Sequence, residues 1–546
     1  MIWPESENRG IRVRDQSLHP SRTRSVERTR QSRAVIQNAW TAYRPLGGDA
    51  HPPHLFLFLN YRTLMFEKRQ NEVPTSSLSR VHGLSDSSGG LSEKGGDTVG
   101  DSGLRRISRG QWMALAAALL GWMFDGFEQG VLGVVGRPAL IDVLHLEEDA
   151  RLAAAAADPQ VRAQAKQRVD EQTGAWNSGL AASFLVGAAL GGWLFGWLGD
   201  RVGRVRGMMF SVLAYAGFTG LCGLAQDPWQ LAALRFLASL GMGGEWALGV
   251  ALVMESWPHS LRPLLAGLIG ASANVGFLLT AVLVKGVAAV GLQVEDGGWR
   301  WVLGLCALPA LLTFFLRVFV PESEKWQQAA ASAPRPGMMA IFTPALRWRS
   351  ILAATLSGIP LIVTWGAIAW MIPHWVDSMP KTQPWINAAA AQASSATGAI
   401  FGALTGALLA HYLGRRRTYS LLSIGALLCC AYIFRWYFPA GVKPRADVGF
   451  LIAVALTGFF TASFYGWLPL YLPELFPTRV RATGQGFGYN FGRVIAAAGA
   501  LYVSHLLQNV FHGDYAQAGA IISLIYLAGL VVIWFAPETG GQPLPE

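Results

Sequence analysis

Residues 196–208 read GWLGDRVGRVRGM, a short charged cluster between two long apolar runs. The run before it is GLAASFLVGAALGGWLF at 179–195, and the run after it is MMFSVLAYAGFTGLCGLA at 208–225. Neither run contains Asp, Glu, Lys or Arg. Because about 20 apolar residues in a helix cross the hydrocarbon core of a bilayer, each run predicts a membrane-spanning helix. The charged cluster then lies in a loop at one membrane face.

The composition of the chain agrees with a protein that spans a membrane many times. Hydrophobic residues make up 52% of the 546 residues and charged residues 14%, whereas about a quarter of the residues in an ordinary soluble domain are charged. Much of the net charge of +10 lies in a polar N-terminal segment and in short loops, as is usual for basic cytoplasmic loops. The charge therefore gives no reason to expect nucleic-acid binding.

Metal and cofactor sites find no support in the sequence. The cysteines lie inside apolar runs without a CxxC pair or another metal-ligand spacing, so we expect them to be small packing residues. No P-loop or other nucleotide-binding motif occurs, which argues against a protein driven by ATP. No pairing of a nucleophile with a base suggests an enzyme. The four cysteines are Cys222, Cys306, Cys429 and Cys430.

Residues 1–108 differ from the rest of the chain. They contain the polar stretches SRTRSVERTRQSR at 21–33 and SDSSGGLSEKGGDTVGDSG at 85–103, and they show no sustained helical periodicity. This composition predicts a disordered cytoplasmic tail. An alternative is that translation begins at Met65 or later and that the N-terminus is over-extended. We assign no function to this segment.

From Gln111 onward, apolar runs of spanning length alternate with short polar breaks. The pattern predicts an all-α membrane protein with about 12 transmembrane helices in two six-helix halves, at 109–326 and 351–540. A cytoplasmic linker at 327–350 joins the halves, and a short tail at 541–546 ends the chain. The candidate spans begin near Gln111, Trp176, Gly207, Trp229, Leu264, Trp301, Ile351, Ile386, Tyr419, Val448, Thr483 and Ala516.

One charged, Ala-rich segment interrupts this pattern. Residues 146–174 read LEEDARLAAAAADPQVRAQAKQRVDEQTG, which predicts a helix outside the bilayer after the first span. Basic residues are otherwise concentrated in the loops that lie inside if the N-terminus is cytoplasmic. The positive-inside rule therefore predicts that both termini are cytoplasmic.

The two halves repeat the same short motifs in the same order. GWLGDRVGRVR at 196–206 aligns with ALLAHYLGRRR at 407–417, so that His411 stands where the first half has Asp200. ESWPHSLR at 255–262 aligns with ELFPTRVR at 474–481, and PES at 321–323 aligns with PET at 537–539. Three matched pairs at equivalent places indicate an internal duplication.

These motifs resemble the major facilitator superfamily over about residues 108–540. The loop between the second and third spans fits that family's Gly-x-Leu-x-Asp-x-x-Gly-Arg-x-Arg pattern, and the other two repeats resemble its sugar-porter and metabolite:proton symporter branches. The resemblance implies a two-half transporter that opens alternately to each side. It also implies a cytoplasmic gate in which Asp200 faces the start of a second-half helix near Thr483. The expected gate residues are Asp200, Arg204, Glu255, Arg262, Arg415, Glu474 and Arg481.

Ionisable residues inside predicted spans are candidates for proton coupling, because burying them in a bilayer is costly. The first span carries Asp125 and Glu128, and the fourth carries Arg235 and Glu245. Counting about 1.5 Å of rise per residue places Asp125 and Arg235 at the same level. We therefore expect them to form the proton-coupling pair, with Glu128 or Glu245 as accessory acids. A static bridge that only fixes helix packing is the alternative.

The substrate class is predicted from further resemblances. DGFE at 125–128, the GMGGE stretch at 241–245 and the eleventh-span region look like aromatic-acid and monocarboxylate proton symporters. The seventh span lacks the paired glutamines expected of a sugar porter. A proton symporter of a small organic acid is therefore favoured, with a sugar transporter or a non-transporting receptor as alternatives. Candidate substrate-binding residues are Trp365, Trp370, Tyr465, Trp467, Asn490 and Arg493.

The remaining expectations concern partners and location. We expect the protein to be a monomer in the cell membrane, either a plasma membrane or an inner membrane. Its partners would be a small-molecule substrate, protons and the lipid bilayer.

Overall fold

The computed structural model of the protein describes residues 107–291, 294–332, 334–438, 444–505, 510–511 and 514–546. The predicted N-terminal tail therefore lies outside the described residues, except for its last two positions. The described part of the chain is helical, and its β-structure consists of an isolated bridge between Lys381 and Ala446.

A helix lies at each of the twelve positions where the sequence predicts a span. The helices of the first half are α1 (Arg109–Val143), α2 (Glu147–Ala155), α3 (Pro159–Val202), α4 (Arg204–Cys222), α5 (Pro228–Ser256), α6 (Arg262–Ala289), α7 (Trp299–Leu305) and α8 (Leu311–Phe319). Between the halves lies α9 (Glu324–Ser332).

The second half repeats this arrangement. Its helices are α10 (Arg347–Ile362), α11 (Ile372–Ser378), α12 (Ala388–Leu413), α13 (Arg415–Ala431), α14 (Val448–Ala462), α15 (Phe464–Leu475), α16 (Arg481–His505), α17 (Tyr515–Ser523) and α18 (Ile525–Val532). A π-helical segment, Val363–Met371, connects α10 with α11. The predicted all-α membrane fold is thus confirmed.

Within the described residues, nine helical segments are long and apolar enough to cross a membrane. The first, sixth and eleventh predicted spans are not among them. α1 carries Asp125 and Glu128 in its middle, and the sixth span is divided between α7 and α8. α16 begins with the polar sequence RATGQGFGYNFGR. The charged residues in α1, the interruption between α7 and α8 and the polar residues in α16 lower the hydropathy of these three spans. Such features are common in membrane helices that have a function.

The segment that was predicted to form a helix outside the bilayer has a different organisation. Its first part is the short helix α2, and its second part is the beginning of α3, which has 44 residues. At about 1.5 Å per residue α3 is about 66 Å long, twice the thickness of a hydrocarbon core of about 30 Å. Asp158 and Pro159 start this helix, since the Asp158 side chain accepts the N–H of Gln160. The charged segment therefore extends the second span continuously out of the membrane.

Helices that begin at opposite ends of the bundle are capped in different ways. Four of those that begin at one end have an aspartate as N-cap, and one has Asn387. At the other end, α4 and α13 begin after Gly203 and Gly414, which have φ angles of +117° and +85° and no capping side chain. Glycine adopts this left-handed conformation without strain. The aspartate N-caps are Asp158, Asp227, Asp447 and Asp514.

The two halves pack against each other through small residues. A Cβ atom at Gly486 on α16 would lie 1.9 Å from the carbonyl oxygen of Gly192 on α3, so the two backbones are in contact there. A Cβ atom at Gly270 on α6 would lie 2.3 Å from the carbonyl oxygen of Tyr465 on α15. Close backbone approach of this kind is the usual packing mode of membrane helices. It leaves a cavity between the halves.

Candidate functional site

The cavity between the halves has an empty volume of about 790 Å³ when the space continuous with solvent is included. Its walls come from α1 and α6 of the first half and from α11, α12, α14, α15, α16 and the Val363–Met371 segment of the second half. Aromatic and polar side chains from both halves line it, as is usual for a site that binds a small organic molecule. Aromatic side chains that line it are Trp122, Phe277, Trp365, Tyr465 and Tyr489.

The structure places three of the six predicted substrate-binding residues in the cavity wall, namely Trp365, Tyr465 and Arg493. Trp467 does not line the cavity, because it is fully buried and its Nε1 donates to the carbonyl of Arg415 at 3.0 Å. The side chain of Trp370 lies outside the described residues.

Asn490 does not line the cavity, because its side chain forms hydrogen bonds between helices. Its Nδ2 donates to the carbonyl of Gly243 on α5 at 2.9 Å and to that of Gly486 at 3.0 Å. Asn490 therefore ties α16 to the first half.

Several polar cavity residues were not predicted from the sequence. Gln129 follows Glu128 directly in α1, and Asn274 lies on α6 among small and apolar residues. Gln392 and Ser395 contribute from α12. An uncharged polar residue inside an apolar span is a signal that could have identified Gln129 and Asn274.

Arg493 gives the cavity wall a positive charge. Its guanidinium carbon lies 5.5 Å from the centre of the Tyr489 ring, and its Nε is buried without a hydrogen-bond partner. The buried ion pairs that the described residues form involve other arginines. An arginine with free donors in a cavity can bind a carboxylate through two parallel hydrogen bonds.

An aromatic cluster forms the floor of the cavity. Tyr489 on α16 stacks on Trp246 on α5, with ring centres 3.9 Å apart and an interplanar angle of 16°. Trp122 on α1 meets the Tyr489 ring edge-on at 5.9 Å. Trp122 and Tyr489 line the cavity, whereas Trp246 is buried behind them. The cluster therefore joins both halves below the cavity.

The four ionisable residues predicted for proton coupling lie together in the first half, but their pairing differs from the prediction. Arg235 forms an ion pair with Glu128, and the Thr219 hydroxyl donates to the same carboxylate at 2.9 Å. Asp125 forms no ion pair with Arg235. The helical rise placed Asp125 and Arg235 at one level, but Glu128 lies only about 4.5 Å further along α1, and its face of the helix points to Arg235.

Asp125 and Glu245 lie next to each other away from this ion pair. Both side chains are buried, and none of their carboxyl oxygens accepts a hydrogen bond from a described residue. The four residues predicted for proton coupling thus form two groups, the ion pair of Glu128 with Arg235 and the carboxyl pair of Asp125 with Glu245.

The end of the bundle opposite the aspartate caps carries an ion-pair network, and we call this end the network face. Arg204 lies at its centre and is completely buried. It forms ion pairs with Asp200 and with Glu255, the latter at 3.0 Å, and its Nη2 also donates to the carbonyl of Thr478 in the second half at 2.7 Å. Arg481 reaches Glu255 from the second half at 2.8 Å. These contacts join the halves.

Asp200 caps the start of α16 across the interface between the halves. Its carboxylate accepts the backbone N–H groups of Ala482 at 3.2 Å and of Thr483 at 2.8 Å, and also the Thr483 hydroxyl. A carboxylate is stabilised there because the first N–H groups of a helix have no partner within the helix and carry partial positive charge. The position of Asp200 is therefore the one that the resemblance implied.

The second half repeats part of the network without crossing the interface. Arg415 forms an ion pair with Glu474 at 2.6 Å, which corresponds to Arg204 and Glu255 in the first half. Arg262, the counterpart of Arg481, forms no ion pair with the described residues, and its Nε is buried without a partner. Of the seven predicted gate residues, six are thus in ion pairs and Arg262 is not.

The PES and PET repeats complete both sets of contacts. Glu322 accepts the backbone N–H of Arg204 at 2.8 Å, and Glu538 accepts that of Arg415 at 2.8 Å. The Ser323 hydroxyl donates to Glu255, and the Thr539 hydroxyl donates to Glu474 in the same way. Each glutamate thus supplies the helix cap that the preceding glycine lacks.

The pKa directions of these two acids differ. Burial raises the pKa of Glu322, although it accepts backbone N–H groups. At Glu538 burial acts in the same sense, but N–H groups of Arg416, Arg415 and Gly540 outweigh it and lower the pKa. Hydrogen bonds to the charged form have this effect.

Comparison with known proteins places the chain in a family. A family model described as Major Facilitator Superfamily matches residues 111–500. The chain belongs to the major facilitator superfamily. It is a multi-pass membrane transporter of small molecules and not an enzyme.

Relatives within the superfamily include two bacterial transporters. The cis,cis-muconate transport protein of Acinetobacter baylyi is 30% identical over 377 residues, which cover 67% of this chain and 86% of the relative. A niacin transporter of the same organism is 26% identical over 455 residues, covering 78% of this chain and 93% of the relative. A solved structure of a proton:xylose symporter has a TM-score of 0.62 and 16% identity, covering 80% of this chain and 98% of that chain. The last likeness concerns the fold.

Proposed function

We propose that this transporter is a proton-coupled symporter of a small organic acid, which it binds as an anion in the cavity. The observation that best supports this substrate class is the guanidinium of Arg493, which lines the aromatic cavity and forms no ion pair with the described residues. A sugar has no negative charge with which to pair it. A buried positive charge in a membrane protein is costly unless an anion neutralises it, and a bound substrate anion would do so.

The names of two relatives agree with this substrate class. Muconate and niacin, after which those transporters are named, are carboxylic acids that are flat and conjugated. A flat conjugated acid would place its carboxylate on Arg493 and its planar part between the rings of Trp365 and Tyr489. Stacking on aromatic rings and bidentate pairing with arginine are compatible in one site.

The closed network face supports alternating access as the mechanism. Two layers separate the cavity from that face, namely the aromatic floor and the ion-pair network. Tyr489 in the floor and Arg481 in the network are eight residues apart on α16, or about 12 Å. The excess of basic residues supports a cytoplasmic location for the network face and for both termini.

Proton coupling is assigned to the buried acids of the first half. Asp125 lies about one turn after Trp122 on α1 and Arg493 lies one turn after Tyr489 on α16, and these two rings are in contact at 5.9 Å. An anion on Arg493 therefore weakens the positive field at Asp125 and favours its protonation. Substrate and proton then bind together and neutralise each other before the halves move. This linkage gives symport because each ligand increases the affinity for the other.

The test is uptake by the purified protein in proteoliposomes with an imposed pH gradient. We expect accumulation of labelled niacin or cis,cis-muconate, but not of xylose, when the outside is acidic. Arg493→Gln is expected to raise KM at least tenfold, whereas Arg435→Gln, which changes an exposed arginine, leaves KM unchanged. Xylose accumulation that competes with both acids would refute the organic-acid assignment, and acid uptake that ignores the pH gradient would refute symport.

A further inference from the structure

Asp125 on α1 and Glu245 on α5 are brought together by a glycine. A Cβ atom at Gly121 would lie 1.6 Å from Oε1 of Glu245, so the Glu245 carboxyl occupies the space that a side chain at position 121 would fill. Asp125 is one helical turn further along the same face of α1. The Glu245 carboxyl is therefore held against the face of α1 that carries Asp125.

The two carboxyls are deeply buried and lack donors. Asp125 is 0% exposed and Glu245 is 2% exposed. None of the four carboxyl oxygens accepts a hydrogen bond from the described residues. The hydroxyl of Tyr215 on α4 is also buried without such a partner, and α4 packs closely on α5 here, since a Cβ atom at Gly241, one turn before Glu245, would lie 2.4 Å from the backbone nitrogen of Tyr215. Three polar groups from three helices thus converge without a donor between the carboxyls.

Two ionised carboxylates cannot remain side by side in such surroundings. Like charges in contact within a medium of low dielectric constant repel strongly, and neighbouring carboxyls therefore retain a proton. One proton gives the hydrogen bond that both groups lack, because a protonated carboxyl donates and an ionised one accepts.

We propose that Asp125 and Glu245 form a two-carboxyl site that holds one proton between them, with Tyr215 as a positioning residue. The Glu128–Arg235 ion pair is a separate element that keeps its charges. The proposal rests on the proposed function, because the shared proton is taken to be the one that is transported together with the substrate. Proton binding to the pair can nevertheless be measured without transport.

The charged and titratable groups that face the pair come from three helices, with Arg493 on α16, Glu128 on α1 and Tyr215 on α4. Arg493 opposes proton binding and Glu128 favours it. An anion bound to Arg493 removes part of the opposing field. Substrate binding is therefore expected to move the proton titration of the pair to higher pH.

The experiment is a pH titration of the full-length protein in nanodiscs without substrate. Infrared difference spectroscopy detects the protonated carboxyl directly. We expect one proton to bind to the wild type. Asp125→Asn and Glu245→Gln should each move the midpoint by at least about one pH unit, since the sites are coupled, and the double variant should lack the transition.

Two tyrosine variants provide a matched comparison. Tyr215→Phe removes a donor to the ionised pair and is expected to move the midpoint to higher pH by a few tenths of a unit. Tyr526→Phe removes another buried hydroxyl without a partner among the described residues, in the second half, and should leave the midpoint unchanged. Gel filtration of each variant verifies folding.

Three results would overturn the proposal. An unchanged midpoint in Glu245→Gln, together with loss of the transition in Asp125→Asn, would assign the proton to Asp125 alone. A midpoint that depends on Na⁺ but not on choline would assign a metal ion to the site. An unchanged titration in both single variants would place the proton elsewhere. If the titration is as expected but uptake ignores the pH gradient, the proton site stands and the proposed symport fails.

Discussion

Removing the charge of Asp200 is expected to open the network face. Asp200→Asn keeps the size of the side chain but loses the ionic character of its bonds to Arg204 and to the N–H groups of Ala482 and Thr483. A hydrogen bond to a charged group contributes about 1.5–3 kcal/mol. Arg204 retains Glu255 as a partner, so we assign the variant a loss of only about 3 kcal/mol.

The contacts of Asp200 to Ala482 and Thr483 join the two halves, and they can form only while the network face is closed. The loss of about 3 kcal/mol therefore acts on the equilibrium between closed and open states. Since about 1.4 kcal/mol corresponds to a factor of ten, the open population rises about a hundredfold. Folding of each half is affected less, because Asp200 in the open state is hydrated.

Thiol labelling measures this change in population. Gln485 on α16 is fully buried and lies one turn before Tyr489 of the cavity floor. In a Gln485→Cys protein, a membrane-impermeant reagent added at the network face reacts only when that face opens. We expect Asp200→Asn to raise the labelling rate about 10- to 100-fold. The native cysteines Cys222, Cys306 and Cys430 are buried, and the protein without the added cysteine gives the background.

A second Asp→Asn change controls for general loss of stability. Asp227 caps α5 at the opposite end of the bundle and accepts the N–H groups of Trp229 and Gln230, both at 2.9 Å. Asn is about as good an N-cap as Asp, so Asp227→Asn should leave the labelling rate unchanged. An unchanged rate in Asp200→Asn, or an equal increase in Asp227→Asn, would refute the gate and leave Asp200 with a role in topology only.

Two further predictions concern the glutamates that cap α4 and α13. Because the pKa of Glu538 is lowered in the folded protein, its carboxylate stabilises the fold at pH values above the ordinary glutamate pKa of 4.5, and this contribution is lost as the pH falls through the folded pKa. Thermal unfolding of Glu538→Gln should therefore depend less on acid pH than thermal unfolding of the wild type. An equal pH dependence of the two proteins would contradict this prediction. Gly203→Ala would place a Cβ 2.2 Å from the Glu322 carboxylate at a φ of +117° and should lower stability by about 1–3 kcal/mol, whereas Gly217→Ala, in open space on α4, should not.

The positions of the helices and most of the network could be predicted from the sequence, because both depend on local or repeated patterns. An apolar run of spanning length needs no partner to be recognised. The pairs Arg204–Glu255 and Arg415–Glu474 occur in motifs that both halves repeat, so each half supports the interpretation of the other. Glu322 and Glu538 also lie in a repeated motif, but their function as helix caps could not be predicted, since the capped helix lies more than 110 residues away.

The pairing inside the first half could not be predicted, because helical rise gives a level and not a direction. Asp125 and Glu128 differ in level by about 4.5 Å and in direction by about 60° around α1. Which of them meets Arg235 depends on how α1 is rotated against α5, and in this packing the Glu245 carboxyl lies against Gly121. Trp467 was assigned to the cavity for a similar reason, since its face of α15 is unknown before the helices are packed.

The duplication explains why the closed state can be released. Both halves contain the same arginine–glutamate pair with a hydroxyl and a helix cap, and because each pair lies within one half we expect it to be retained when the halves separate. Only the first-half site also crosses the interface, through Arg481 to Glu255 and through Asp200 to α16. The second half has His411 in place of Asp200, and Arg262 has no ion pair with the described residues. Opening the network face therefore breaks one set of charged contacts across the interface instead of two, which keeps the barrier within reach of substrate and proton binding.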